Sequence, residues 1–283
     1  MKKILFGFIL MFGLVSATKA MEVQINIEYG KIGDESLLLD VYSPKAEGYY
    51  PGVVVVHGGG WSGGDKRADI TSLFEPMTDA NLVCYSINYR LAPKNKWPGA
   101  YEDVISAVKW VKANSLKYKT DPNRIALMGY SAGGQLAMLA AIKAQKETNV
   151  QAAVGLAAPV DLVLDSLRRG NISTYLMDLF GVQAMDANSL QLIWEASAIN
   201  YVRPGLMPIL LVHGTEDKSV PYQQSLNFKQ RLEDVGGKCE LITLKGASHK
   251  IMEWNNFDSD YQKKIAQWLK EQLKYIQQDT KNK

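Results

Sequence analysis

Val23, Ile25 and Ile27 alternate with Gln24, Asn26 and Glu28, the period-two pattern of a strand with one face buried. A Gly33-Asp34 turn follows, then an apolar stretch at 37–42, so the pattern predicts an opening antiparallel hairpin. Beyond it the rhythm changes. Short runs rich in Val, Ile and Leu stand at 53–56, 82–87, 124–128, 152–156, 209–212 and 240–244. Continuous runs of that length suit strands covered on both faces, as in a parallel sheet. Segments of helical period lie between them. Residues 100–113 carry Val104, Ala107, Val108 and Val111 on one face; 136–142 follow a glycine pair, and 222–235 follow Pro221. A last apolar stripe runs through Tyr261, Ile265, Trp268, Leu269, Leu273 and Ile276, with lysines opposite. Strand–helix alternation of this kind predicts an α/β fold built on a doubly wound, mostly parallel sheet.

One stretch breaks the alternation. Residues 161–207 separate two core strands by far more than a usual connection, and mix Leu-rich pieces such as 175–180 with polar turns. They are read as a small cap inserted over the sheet, with a plain surface excursion as the alternative. The polar residues from 277 onward are expected to fray.

The first twenty residues have the layout of a secretory signal peptide. Lys2 and Lys3 precede an apolar run at 4–15, and small residues follow at 16–20. Spanning a bilayer takes ~20 apolar residues, so the run is too short for a stable membrane anchor. Cleavage after Ala17 or after Ala20 is expected, leaving a single domain over 21–283 in a secreted or periplasmic location. The 283 residues, 47% apolar and 22% charged, have an ordinary globular composition. Losing residues 1–20 would bring the formal charge from +3 to 0, which gives no reason to expect a nucleic-acid partner. Cys84 and Cys239 each sit in a strand-like run. They are read as buried thiols, although an oxidising compartment would permit a disulfide.

Candidate chemistry begins at Gly129-Tyr130-Ser131-Ala132-Gly133, a G-x-S-x-G motif between a strand candidate and a helix candidate. In that setting the two glycines permit a sharp turn, and Ser131 projects at a helix N-terminus that favours negative charge. A serine merely capping the helix is the bland alternative. A serine hydroxyl needs an adjacent base, and the chain holds three histidines. His57 and His213 end apolar runs and suit structural roles. His249 follows the last core strand, in the loop where the base of such an elbow serine belongs, and keeps the order Ser, acid, His. The acid that orients it is read as Asp217, past the 209–212 run, with Glu216 and Asp161 as rivals. Three glycines at 58–60 follow the 53–56 run. Gly59 and Gly60, with Ala132 after the serine, are the candidate backbone donors to a developing oxyanion. Trp61 and Tyr130 are candidate substrate contacts. Trp97, Trp194 and Trp254 also lie near loops, where packing is the commoner role. The histidines and cysteines lack ligand spacing, so neither a metal nor an organic cofactor is expected.

These motifs, with Asn88-Tyr89-Arg90-Leu91-Ala92-Pro93 and Asp121-Pro122-Asn123-Arg124-Ile125, fall in the order seen in α/β-hydrolase esterases, and the chain resembles that family over roughly residues 36–275. It looks most similar to the hormone-sensitive-lipase-like esterases and to the bacterial feruloyl/acetyl-xylan esterase branch. The first group usually has Asp at the position of Tyr130 and an acidic residue at that of Lys94, which favours the second. The resemblance implies a serine esterase acting through an acyl-enzyme on a small-molecule or carbohydrate ester, acetyl or feruloyl. A peptidase or lipase on the same fold, or a non-catalytic binding module, are the alternatives.

Overall fold

The computed structural model describes residues 21–274. The proposed signal segment, Ile276 and the frayed end therefore lie outside the described residues. In chain order the elements are β1 (Met21–Ile32), β2 (Glu35–Pro44), β3 (Tyr50–Val56), α1 (Phe74–Asp79), β4 (Val83–Ile87), α2 (Gly99–Asn114), β5 (Thr120–Tyr130), α3 (Ala132–Ile142) and β6 (Ala152–Leu156). Then come α4 (Leu162–Arg169), α5 (Thr174–Phe180), α6 (Ala187–Glu195), β7 (Ile209–Gly214), α7 (Gln223–Asp234), β8 (Cys239–Leu244) and α8 (Tyr261–Gln272).

The eight strands form one sheet in the order β1-β2-β4-β3-β5-β6-β7-β8. β1 and β2 pair antiparallel across the Gly33-Asp34 turn, with Ile32 opposite Glu35, and β2 is antiparallel to β4. All pairs from β4 to β8 are parallel. The alternation of side chains along a strand divides the core in two. Val54, Val56 and Leu127 pack on one face with Val104 and Val108 of α2, Leu136 of α3 and Phe228 of α7. Val53, Val55 and Met128 pack on the other with Phe74 of α1 and with Ile265 and Trp268 of α8. α3 is buried along its whole length, which explains its lack of a polar face. Cys84 and Cys239 are free, buried thiols on β4 and β8, five places apart in the sheet.

β3 lies between β4 and β5, so the connections leaving β3 and β5 run in opposite directions. The crevice beyond their carboxyl ends is the switch point where ligands of such sheets bind. The 161–207 segment holds α4, α5, α6 and a 3-10 turn at Ala198–Tyr201. α1 had no counterpart among the expected elements; six residues are too few for a periodic pattern to show. No described helix is long and apolar enough to cross a membrane.

Candidate active site

Ser131 stands between β5 and α3 at φ 52°, ψ −120°, a conformation that L residues avoid. Its amide donates to Leu156 O of β6 at 2.8 Å, so the sheet holds the strained position in place. The turn is tight enough to demand both flanking glycines. A Cβ on Gly129 would lie 2.2 Å from Gly133 O, and one on Gly133 would lie 2.2 Å from His57 O.

The side chains that the sequence singles out converge here. Ser131 Oγ is 2.9 Å from His249 Nε2, and His249 Nδ1 is 2.6 Å from Asp217 Oδ2. A carboxylate only accepts, so Nδ1 carries the proton and Nε2 is left to accept from the serine hydroxyl. The other carboxylate oxygen, Oδ1, accepts from the amides of Ser219 (2.9 Å) and Val220 (2.8 Å). Burial alone would raise the Asp217 pKa; hydrogen bonds from His213 and His249, the charge of His249 and the Val220 amide outweigh it and hold the carboxyl well below the usual range. The rivals are engaged elsewhere. Glu216 pairs with Lys218 in solvent, and Asp161 caps α4 by accepting from the Leu164 amide.

After β3 the chain makes a compact turn in which Gly59, Gly60 and Trp61 have φ of 115°, 60° and 58°. The amides of Ser62 and Gly63 close it on Gly59 O. Gly59 and Gly60 border the same cleft as Ser131, and Ala132 begins α3, whose first amides have no acceptor within the helix. Trp61 and Tyr130 both reach the cleft wall, yet only 6% and 5% of each is exposed. The Trp61 indole donates to Gln135 Oε1 (2.9 Å), and Gln135 Nε2 donates to Ala196 O (2.7 Å). This ties the glycine turn, α3 and the 161–207 segment together. Gln135 escapes sequence reasoning because its partners lie 74 and 61 residues away.

Tyr130 lies under His249. Its hydroxyl donates to His249 O at 2.5 Å, and its ring stacks on the imidazole with centroids 5.4 Å apart. Trp254, fully buried, meets Tyr130 edge-on and donates its indole N–H to Ser248 O. Burial raises the Tyr130 pKa far above its ordinary value, so the phenol stays a donor. Tyr130→Phe is expected to lower stability by about 1 kcal/mol and kcat by a few-fold. Thermal melts and steady-state rates check this; an unchanged variant would remove Tyr130 as a support of the His249 loop. Trp97 packs on Tyr101 and Phe180, and Trp194 on Tyr201.

The cleft has a volume of about 1020 Å³ and is lined by Ser131 together with residues of the 161–207 segment, Leu162 to Met177 among them. Tyr175 lies so close to Gly60 that a Cβ there would meet its ring at 2.7 Å. Arg169 pairs with Asp165 at 2.8 Å and donates to Ser219 O at 2.9 Å, joining α4 to the Asp217 loop. Among the described residues no group of three or more His, Cys, Asp or Glu side chains is placed to hold a metal ion.

A family model, BD-FAE, matches residues 39–232. The chain belongs to the BD-FAE family. This BD-FAE chain is 31% identical over 222 residues to the probable carboxylic ester hydrolase LipM of Mycobacterium tuberculosis, covering 74% of the chain and 52% of LipM. It is 33% identical over 225 residues to esterase LipQ of the same organism, covering 75% and 53%. The chain thus spans about half the length of the curated relatives it matches. Among solved structures, the truncated form of a carbohydrate esterase from gut microbiota superposes with a TM-score of 0.78 at 25% identity, over 91% of this chain and 98% of that one. The butyrate-bound Est2 esterase of Thermogutta terrifontis, at 22% identity, gives 0.72 over 87% and 92%, a likeness of fold. The BD-FAE chain therefore has the α/β-hydrolase fold, as the order of its motifs implied.

Proposed function

We propose that this chain hydrolyses carboxylic esters through an acyl-enzyme on Ser131. The observation that carries the reading is the line Ser131 Oγ–His249–Asp217, at 2.9 Å and 2.6 Å, on a serine held in a strained elbow. Ser131 Oγ attacks the ester carbonyl while His249 Nε2 takes its proton. The amides of Gly59, Gly60 and Ala132 receive the oxyanion. Collapse of the tetrahedral intermediate breaks the ester C–O bond, and the leaving alkoxide takes the proton from Nε2. Water then attacks the acyl-enzyme, giving one proton to His249, and the serine is restored with release of the acid. The names of LipM and LipQ support this reaction class.

For the substrate we infer a short acyl group on a polar, sugar-like alcohol. Asp165, Arg169, Asn171, Ser173, Thr174 and Lys218 on the cleft wall support this, as does the structural likeness to a carbohydrate esterase. Removal of an N-terminal segment ending at Ala17 or Ala20 and secretion or periplasmic residence belong to the same reading; N-terminal sequencing of the exported protein should begin at Thr18 or Met21.

Ser131→Ala is expected to lower turnover of p-nitrophenyl acetate by about a thousandfold or more. Near-native turnover would remove Ser131 as the nucleophile. A panel from acetate to palmitate esters, with acetylated xylan and a feruloyl ester, tests the finer reading. Preference for long acyl chains would overturn it.

A further inference from the structure

His213, near the end of β7, is fully buried and has both ring nitrogens engaged. Nε2 lies 2.9 Å from Val220 O and 3.2 Å from Asp217 Oδ2. Both neighbours are acceptors, so Nε2 bears a hydrogen shared between them. Nδ1 lies 2.7 Å from Ser225 Oγ, and in the tautomer with its hydrogen on Nε2 it accepts from that hydroxyl. Ser225 is itself buried in the first turn of α7. Tyr222, just before α7, meets the imidazole edge-on at 5.7 Å and bonds through its hydroxyl to Thr243 of β8. The titratable groups facing His213 are thus Asp217 from its own loop and Tyr222 from the turn before α7.

We propose that His213 and Ser225 are positioning residues of the hydrolytic site, extending the three-residue line to a chain of five: Ser225, His213, Asp217, His249 and Ser131. The proposal rests on the ester-hydrolase reading given above. Its physical content is that Asp217 Oδ2 serves two imidazoles at once. His249 bonds to this oxygen at 2.6 Å and His213 at 3.2 Å, while Oδ1 is held by two backbone amides. Four donors fix both the plane and the rotation of the carboxylate, so the oxygen that orients His249 cannot swing away. His213 also holds the loop by its bond to Val220 O, and Ser225 fixes the tautomer that lets it do both. Apolar packing alone would be met by a leucine at this strand end. A histidine with one donor and one acceptor, each matched, is a requirement of orientation. No proton of the reaction passes through His213; it acts through Asp217.

The test compares His213→Leu, His213→Gln and Ser225→Ala in the full chain with p-nitrophenyl acetate. Rates are referred to active sites counted by fluorophosphonate labelling of Ser131, which removes any effect of lost folded protein. His213→Leu should lower kcat roughly ten- to a hundredfold, the span for losing a hydrogen bond to a charged group, with KM within about twofold. The acidic limb of the pH profile should move to higher pH. With one donor fewer the Asp217 carboxylate offers more of its charge to a protonated His249, the form that cannot accept from Ser131. His213→Gln, whose amide can reach the Nε2 position, should recover much of the rate. Ser225→Ala should show the same pH displacement with a rate loss of about threefold to tenfold. If His213→Leu does not fold, the glutamine and alanine variants carry the test. An unmoved acidic limb with unchanged kcat per labelled site would overturn the proposal. Ser131→Ala, assayed beside them, separates the two failures: activity surviving there overturns the reading of the site, whereas an inactive Ser131→Ala with unaltered His213 and Ser225 variants overturns this proposal alone.

Discussion

Asp217→Asn should lower kcat by about four orders of magnitude while the protein stays folded. The reason lies in the count of donors around the carboxylate. Oδ1 faces two backbone amides and Oδ2 faces two imidazole N–H groups, so all four neighbours donate. An asparagine has one acceptor oxygen to offer. With that oxygen toward Ser219 and Val220, its NH2 group faces His249 and can be satisfied only if His249 moves its proton from Nδ1 to Nε2. That tautomer has no lone pair for Ser131. With the amide flipped, two backbone donors are confronted instead. Either arrangement disables the base at its ground state. The variant also reports on stability. The folded carboxyl is held well below its ordinary value, so its ionisation stabilises the fold at all pH above the unfolded value of ~3.9 and is lost as pH falls through the folded value. The wild type's excess in unfolding free energy should shrink as pH falls below about 4, as followed by denaturant melts. An excess that instead grew below about pH 4 would contradict the donor count.

The strands at the sheet's centre were legible because their pattern is local. Four consecutive valines at 53–56 are buried on both faces, and the glycine-flanked serine sits where a strand-to-helix turn was expected. Counting histidines picked out His249 because only a few candidates existed. The choice between Asp217 and Glu216 was less legible: neighbours in a turn point different ways, and only the folded loop shows which one meets two imidazoles. The helices of the 161–207 segment carried readable end signals. Asp161, Ser173 and Asp186 cap α4, α5 and α6 with their side chains, and Gly170 and Gly181 follow α4 and α5 in the left-handed region. Those signals match known start and stop patterns, but helices of seven to nine residues leave too little periodicity to support them. Least legible were Gln135, Tyr130 and His213. Each works by a hydrogen bond to a group brought near only by the sheet, or by a loop that the sheet end shapes. The sequence marks Gln135 as one more position of a helix, His213 as a strand-end histidine, and Tyr130 as a candidate substrate contact, whereas the folded Tyr130 is a buried donor to His249 O.

Gly133→Ala carries the second large effect, and two opposing terms decide it. Gly133 is the second residue of α3 and has no positive φ, so on propensity alone alanine would stabilise the helix by about 1 kcal/mol. Sterics run the other way. The added Cβ would lie 2.2 Å from His57 O, 2.4 Å from Val56 O and 2.7 Å from Val56 C. These are backbone atoms at the end of β3, and Val56 pairs with Gly129 in the parallel ladder between β3 and β5. The strand cannot recede without opening that ladder, and the helix cannot recede without pulling Ser131 off Leu156 O. The clash therefore dominates, with an expected loss of about 3 kcal/mol or more and turnover close to background, because the glycine turn and Ser131 are pushed apart. Gly63→Ala is the control: its Cβ would meet only Gly59 O, at 3.7 Å, so it tests whether any added methyl near this turn is harmful. Chemical denaturation of the two variants side by side should show Gly63→Ala near the wild-type midpoint and Gly133→Ala far below it. Equal midpoints would mean that β3 and α3 can separate by the ångström needed, and that the elbow owes its glycine to something other than this contact.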